Sequence, residues 1–241
     1  MMTDERKFEF EQAIRRAVPR EMFIEVKERF PLAAEQADAA VRNSHTAVAN
    51  GVPLSRGRQS KATGLVRHQL IDQVFEEILY RHGGMTVKSV SVESGPDEIK
   101  AAPIHLTTGS FGETLVGFAS HRELLDAPSK NATRRALCHQ NRGLSADLFH
   151  GLEFFSDRQR FVLIMVRRDL TALGKIASIT VCIADSRAEV FLYQSDIDDF
   201  LAGYGAAPAI KKKISPKFRD VSGTFKEARK SDDQTGKAKE E

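Results

Sequence analysis

The chain has 241 residues, 41% apolar side chains and a formal net charge of +3. That length suits one large domain or two small ones with a sizeable core, and no apolar run approaches the ~18 residues of a membrane span. Two cysteines, Cys138 and Cys182, are too few for a disulfide framework, and Met1–Arg6 lacks the basic-then-apolar pattern of a secretory signal, so a cytoplasmic, reducing setting is expected.

The charge is uneven. From Ile210 onward there are ten Lys/Arg against six Asp/Glu, leaving 26 basic and 27 acidic side chains in residues 1–209. The basic character therefore belongs mostly to the C-terminal segment, whose low hydrophobicity and mixed charge predict a disordered tail over 208–241. Within it Phe218, Val221 and Phe225 recur at helical spacing, a face that a protein partner would cover.

In chain order, residues 4–17 read as a helix that ends ahead of Pro19. A second helix covers about 20–29, with Pro31 allowing a kink or restart, and an Ala-rich helix follows over 31–48 up to Asn50-Gly51. These elements make 1–50 a helical segment preceding a core domain over 51–207. Val52–Ser60 is expected to be a loop. Val66, Leu70, Ile71, Val74, Phe75, Ile78 and Leu79 then form one apolar stripe at the 3.6-residue period, closed by Gly83-Gly84.

The period changes after that. Met85–Val92 reads as a strand with a slip near Lys88-Ser89, Glu93–Glu98 as a turn, and 104–108 with 113–120 as a hairpin around Gly109–Gly112. Residues 129–141 predict a helix, and Leu152–Phe155 an irregular strand. A three-stranded meander follows. Phe161–Val166 is apolar throughout, hence covered on both faces. Ile179, Val181 and Ile183 alternate with Ser178, Thr180 and Cys182, a half-buried strand, and Val190–Tyr193 is the third. Ser195 is placed to cap a short helix over 196–202, whose Asp196, Asp198 and Asp199 suit its positive end better than a cation site. The whole predicts an α+β fold, with N-terminal helices ahead of a mainly antiparallel sheet of about six or seven strands.

Two stretches carry the functional expectation. Between Asp38 and Asp72 there is no acidic residue, and the interval holds Arg56, Arg58, Lys61, Arg67 and His68 among Ser55, Gly57, Ser60, Thr63 and Gly64. Guanidinium groups beside hydroxyls at a helix entry suit phosphate oxygens. The pattern is neither a P-loop nor a dinucleotide fingerprint. His68 is spaced to pair with Asp72 one turn on. Residues 127–146 are also free of acids and contain Lys130, Arg134, Arg135, His139 and Arg142 with Asn131, Gln140 and Asn141. Amides with guanidiniums suit phosphates and base edges.

If the fold joins the two stretches, they form a basic groove for nucleic acid, DNA or RNA, or another polyanion. Arg167 and Arg168 are expected at its rim. The absence of Trp, with three Tyr, disfavours a stacking-based single-strand binder. Two alternatives stand beside this non-enzymatic reading. One is a phosphodiester hydrolase that uses His68 with His139, or a metal held by Asp169 and Asp185 with Glu77 nearby. The other is a scaffold that binds a protein partner. Zincin, nucleophile-elbow and paired-cysteine motifs are absent, and no cofactor or resident metal is expected.

Overall fold

Residues 4–48, 54–95, 98–121, 131–142, 144 and 159–205 are described in a computed structural model of the chain. The strand expected at 152–155 and the tail from 208 lie outside them. Helix α1 (Asp4–Ala17) stops ahead of Pro19 and buries Phe10 and Ile14. Helix α2 (Arg20–Val48) runs through Pro31 without interruption. Pro31 leaves the Lys27 carbonyl without its helical donor, but Phe30, Ala33 and Ala34 are buried on either side and hold the helix together.

Helix α3 (Arg56–Arg81) starts about ten residues before its apolar stripe, so most of the expected loop is helical. Arg, Gln and Lys at 56, 58, 59 and 61 are strong helix formers and outweigh Gly57 and Gly64. The lengthened helix carries the stripe backwards, so that Thr63 and Arg67 are buried in line with Ile71, Phe75 and Ile78.

Strand β1 (Met85–Thr86), the hairpin β2 (Ser89–Gly95) and β3 (Glu98–Pro103), β4 (Thr108–Phe111) and β5 (Thr114–His121) follow. The slip expected near Lys88 is a change of sheet: β1 pairs with β4, whereas among the described residues β2 and β3 pair only with each other. Gly112, at φ +57°, makes the tight β4–β5 turn that a side chain would strain. Helix α4 (Ala132–Cys138) continues as a 3-10 turn over His139–Asn141. Then come β6 (Arg160–Arg168), β7 (Ile176–Ala184), β8 (Phe191–Asp196) and α5 (Ile197–Ala202). Asp196, not Ser195, caps α5, accepting from the Asp198 N–H at 2.9 Å. The reason is that β8 runs on to Asp196, so Ser195 still pairs with Val181.

The six-stranded sheet has the order β1-β4-β5-β6-β7-β8. Every pairing is antiparallel except β5 with β6, which run parallel from Thr114↔Arg160 to His121↔Arg167. The fold is α+β. A parallel pair requires a crossover connection, and α4 lies within that connection.

The crossover determines which face each helix occupies. Val162, Ile164 and Val166 of β6 join α1, α2, α3 and α5 in one core, with Phe30, Phe75 and Phe118 meeting edge to face at 5.5–6.0 Å. Phe161, Leu163 and Met165 face the other way, into a smaller core with Leu137 and Cys138 of α4 and Val90 of β2. The same cover corrects the half-buried reading of β7, since Cys182 and Ala184 are as buried as Ile183.

Candidate anion-binding site

Arg56, Ser60, Thr63 and Arg67 recur at spacings of four, three and four, which places them on one face of α3. Opposite the lower part of this face lies the β6–β7 turn. Asp169 builds that turn: its Oδ1 accepts from the Thr171 N–H at 2.7 Å, the Thr171 hydroxyl at 2.6 Å and the Ala172 N–H at 3.1 Å. Those hydrogen bonds, the Thr171 hydroxyl first, hold the Asp169 carboxyl below its ordinary range. Gly174 lets the turn approach α2, since a Cβ there would lie 3.0 Å from that of Asp38.

Between helix and turn is a cavity of about 240 Å³. Ser60, Thr63 and Arg67 line it from α3, Arg168 from the end of β6, and Asp169, Leu170 and Leu173 from the turn. Arg67 is 5% exposed. Its Nη1 donates to the Leu173 carbonyl at 3.2 Å, and among the described residues no carboxylate forms an ion pair with it. Burial lowers its pKa, and the positive charge of Arg168 lowers it further. Thr63 is 1% exposed, and its hydroxyl oxygen has no hydrogen-bond partner among the described residues. Asp169 contributes one negative charge at the edge. Two guanidiniums and two hydroxyls are a donor set suited to a tetrahedral or planar oxyanion.

The other expected residues are distributed as follows. Arg56, Arg58 and Lys61 are exposed on the first turns of α3. His68 lies against Phe118, ring centroids 5.5 Å apart, and does not pair with Asp72, whose buried Oδ1 has no partner among the described residues. Lys130 lies outside the described residues. On α4, Arg134 is half-buried with an unpartnered Nε, and burial lowers its pKa; Arg135 and Arg142 are exposed and His139 is half-buried.

The two basic stretches do not share a face. Helix α3 packs on one side of the sheet and α4 on the other, so the single groove expected from 56–68 and 130–142 does not form across one surface. The crossover from β5 to β6 is the physical cause. The three amides of the second stretch are also committed internally. Asn131 caps α4, Gln140 donates to the Ser91 carbonyl at 2.6 Å, and Asn141 is fully buried between β6 and β7.

The residues of the hydrolase reading are apart as well. His68 belongs to the α3 face and His139 follows α4 on the other. Asp185 caps its own turn through the Glu189 and Val190 N–H groups. Extending the β6–β7 register puts Asp185 opposite Arg160, at the far end of β6 from Asp169, roughly 30 Å away at ~3.3 Å per residue. Glu77 is ion-paired with Arg29 at 2.5 Å. Among the described residues no three His, Cys, Asp or Glu side chains cluster to hold a metal.

Sequence reasoning named Arg67 and Arg168 but missed the burial of Thr63 and the role of the Leu173 carbonyl. The signal for Thr63 was present: Thr63 and Arg67 continue the Ile71–Phe75 stripe at intervals of four, so both had to point inward once the helix extended. Among the described residues no helix is long and apolar enough to cross a membrane. No protein-family model, curated protein or solved structure matches this chain.

Proposed function

We propose that the chain is a non-enzymatic nucleic-acid-binding protein that contacts its ligand through the first half of α3 and the end of β6. The observation that carries this reading is the pairing of buried Arg67 with Arg168 across one cavity without a carboxylate ion-paired to Arg67 among the described residues. Like charges held together and partly desolvated cost stability, and an anion between them reverses the sign of that interaction. Exposed Arg56, Arg58 and Lys61 precede the cavity along the helix and extend the positive surface on which a phosphate backbone would lie. Helix α4, on the opposite face, is no part of this surface. The test is the salt dependence of oligonucleotide binding by the full chain. Each phosphate contact contributes about −0.9 to the slope of log K against log[salt] on duplex DNA and about −0.7 on single strands. Replacing Arg56, Arg58 and Lys61 by Gln is expected to reduce the slope by about one contact per residue, whereas Arg135→Gln leaves it unchanged. A slope near zero in the parent chain, or a slope lost with Arg135, refutes the reading.

A further inference from the structure

We infer that the cavity between α3 and the β6–β7 turn is a receptor for a single terminal phosphoryl group, a phosphomonoester such as the 5′ end of a nucleic acid, and not a channel for the interior of a phosphodiester chain. This deepens the nucleic-acid reading above and rests on it for the class of molecule that carries the phosphate.

Four observations lead there. The donors converge: Arg67 is a buried residue yet lines the cavity, and Arg168 lines it from the strand end. The Thr63 hydroxyl, also lining the cavity, is buried and has no hydrogen-bond partner among the described residues. A buried hydroxyl left unpaired costs stability, and a phosphoryl oxygen would satisfy it. Ser60, one turn earlier on the same face, adds a second hydroxyl.

The cavity is also bounded by a turn on one side. About 240 Å³ is more than a phosphoryl group fills, so the cavity admits the phosphate together with part of the nucleotide that carries it. An interior phosphodiester would need room for the chain on both sides of the phosphate, and the Asp169–Lys175 turn, tied by the Asp169 N–H to the Lys175 carbonyl at 3.0 Å, lines one of those sides. A terminal phosphate enters from the open side. It is a dianion near neutral pH with three free oxygens, which matches two guanidiniums and two hydroxyls better than the single charge of a diester. Finally, the Asp169 carboxylate at the cavity edge repels a second anionic group. The site therefore takes one phosphate, not a run of them.

The experiment compares one short RNA carrying either a 5′-phosphate or a 5′-hydroxyl, at equal ionic strength, against the full chain, with inorganic phosphate as a third probe. The phosphorylated RNA is expected to bind on the order of tenfold tighter, as two charge-assisted hydrogen bonds allow, and inorganic phosphate to compete the difference away. Thr63→Val, which keeps the shape and removes the hydroxyl, should shrink the ratio, and Arg168→Gln should bring it near one. Neither substitution introduces a buried charge, and Arg67→Gln is the third variant. Equal affinity for the two RNAs, or a ratio unmoved by Thr63→Val and Arg168→Gln together, overturns the inference while leaving general nucleic-acid binding intact. If inorganic phosphate protects the chain against unfolding but neither RNA binds, the phosphoryl site stands and the nucleic-acid reading falls.

Discussion

Arg67 and Arg168 line the same cavity, and the charge of each works against that of the other. Arg67 comes from the middle of a helix and Arg168 from the end of the strand that the sheet is built around. The fold brings them together by laying α3 on the face of β6 that carries Val162, Ile164 and Val166. Arg168→Gln should therefore stabilise the ligand-free chain by up to about 1 kcal/mol at low salt, and the gain should shrink as salt screens the pair. Urea unfolding at two ionic strengths measures it. A loss of stability at low salt would mean that Arg168 has a structural partner.

Asn141 has the opposite character: a buried polar group with every bond in place. Its amide nitrogen donates to the Phe161 and Ala184 carbonyls at 3.0 and 2.8 Å, and its oxygen accepts from the Phe161 N–H at 2.7 Å. The side chain thus bridges β6 and β7 where the crossover from β5 re-enters the sheet. Asn141→Ala leaves three buried backbone groups without these partners and should cost about 3 kcal/mol or more. Asn141→Asp should cost at least as much, since it replaces two donors by a buried charge. Chemical denaturation of both variants gives the values.

Burial pushes both thiols up, Cys138 and Cys182 each to about 12. The thiolate is the reactive form, so neither cysteine should alkylate with iodoacetamide at neutral pH in the folded chain, and both should react once it is unfolded. Mass spectrometry before and after urea addition reads this directly. Fast labelling of either in the native chain would contradict the packing of α4 on the sheet.

Glu25 joins α2 to the end of α3. Burial works against its charge, but hydrogen bonds from His82 at 2.9 Å and Arg29 at 3.0 Å, with the charge of Arg81, hold its carboxyl below the ordinary 4.5. A depressed carboxyl stabilises the fold above its unfolded pKa and loses that contribution as pH falls through the folded one. Stability should therefore drop from about pH 5 downward. Glu25→Gln should cost about 1–2 kcal/mol at neutral pH and flatten that part of the profile. Thermal melts of parent and variant between pH 3 and 7 compare the two.

Much of the architecture was readable from residue patterns, because it depends on local periodicity. The uninterrupted apolar run Phe161–Val166 required cover on both faces, and both cores supply it. The limits of α1 followed from Pro19, and the meander from its two short connections. What was not readable depends on long-range placement. Nothing local in Thr114–His121 says that its next partner in the sheet runs parallel to it, yet that one pairing sends α4 to the face away from α3. The basic stretches looked alike in sequence for that reason and still could not form one groove. The start of α3 was missed because Ser, Gly and Arg read as a loop, when helix formers flanking a buried Thr63 carried the helix outward. Asn131, Gln140 and Asn141 looked like base-reading amides, and each instead satisfies the backbone of its own fold.

The most direct measurement of the central claim is the NMR spectrum of the arginine Nε–Hε groups, recorded while a 5′-phosphorylated RNA is titrated into the full chain. Arg67 and Arg168 should shift together and early, Arg56 and Arg58 with them to a lesser degree, and Arg135 and Arg142 on the opposite face should stay where they are. Shifts confined to Arg135 and Arg142, with Arg67 and Arg168 unmoved at saturation, would contradict the account.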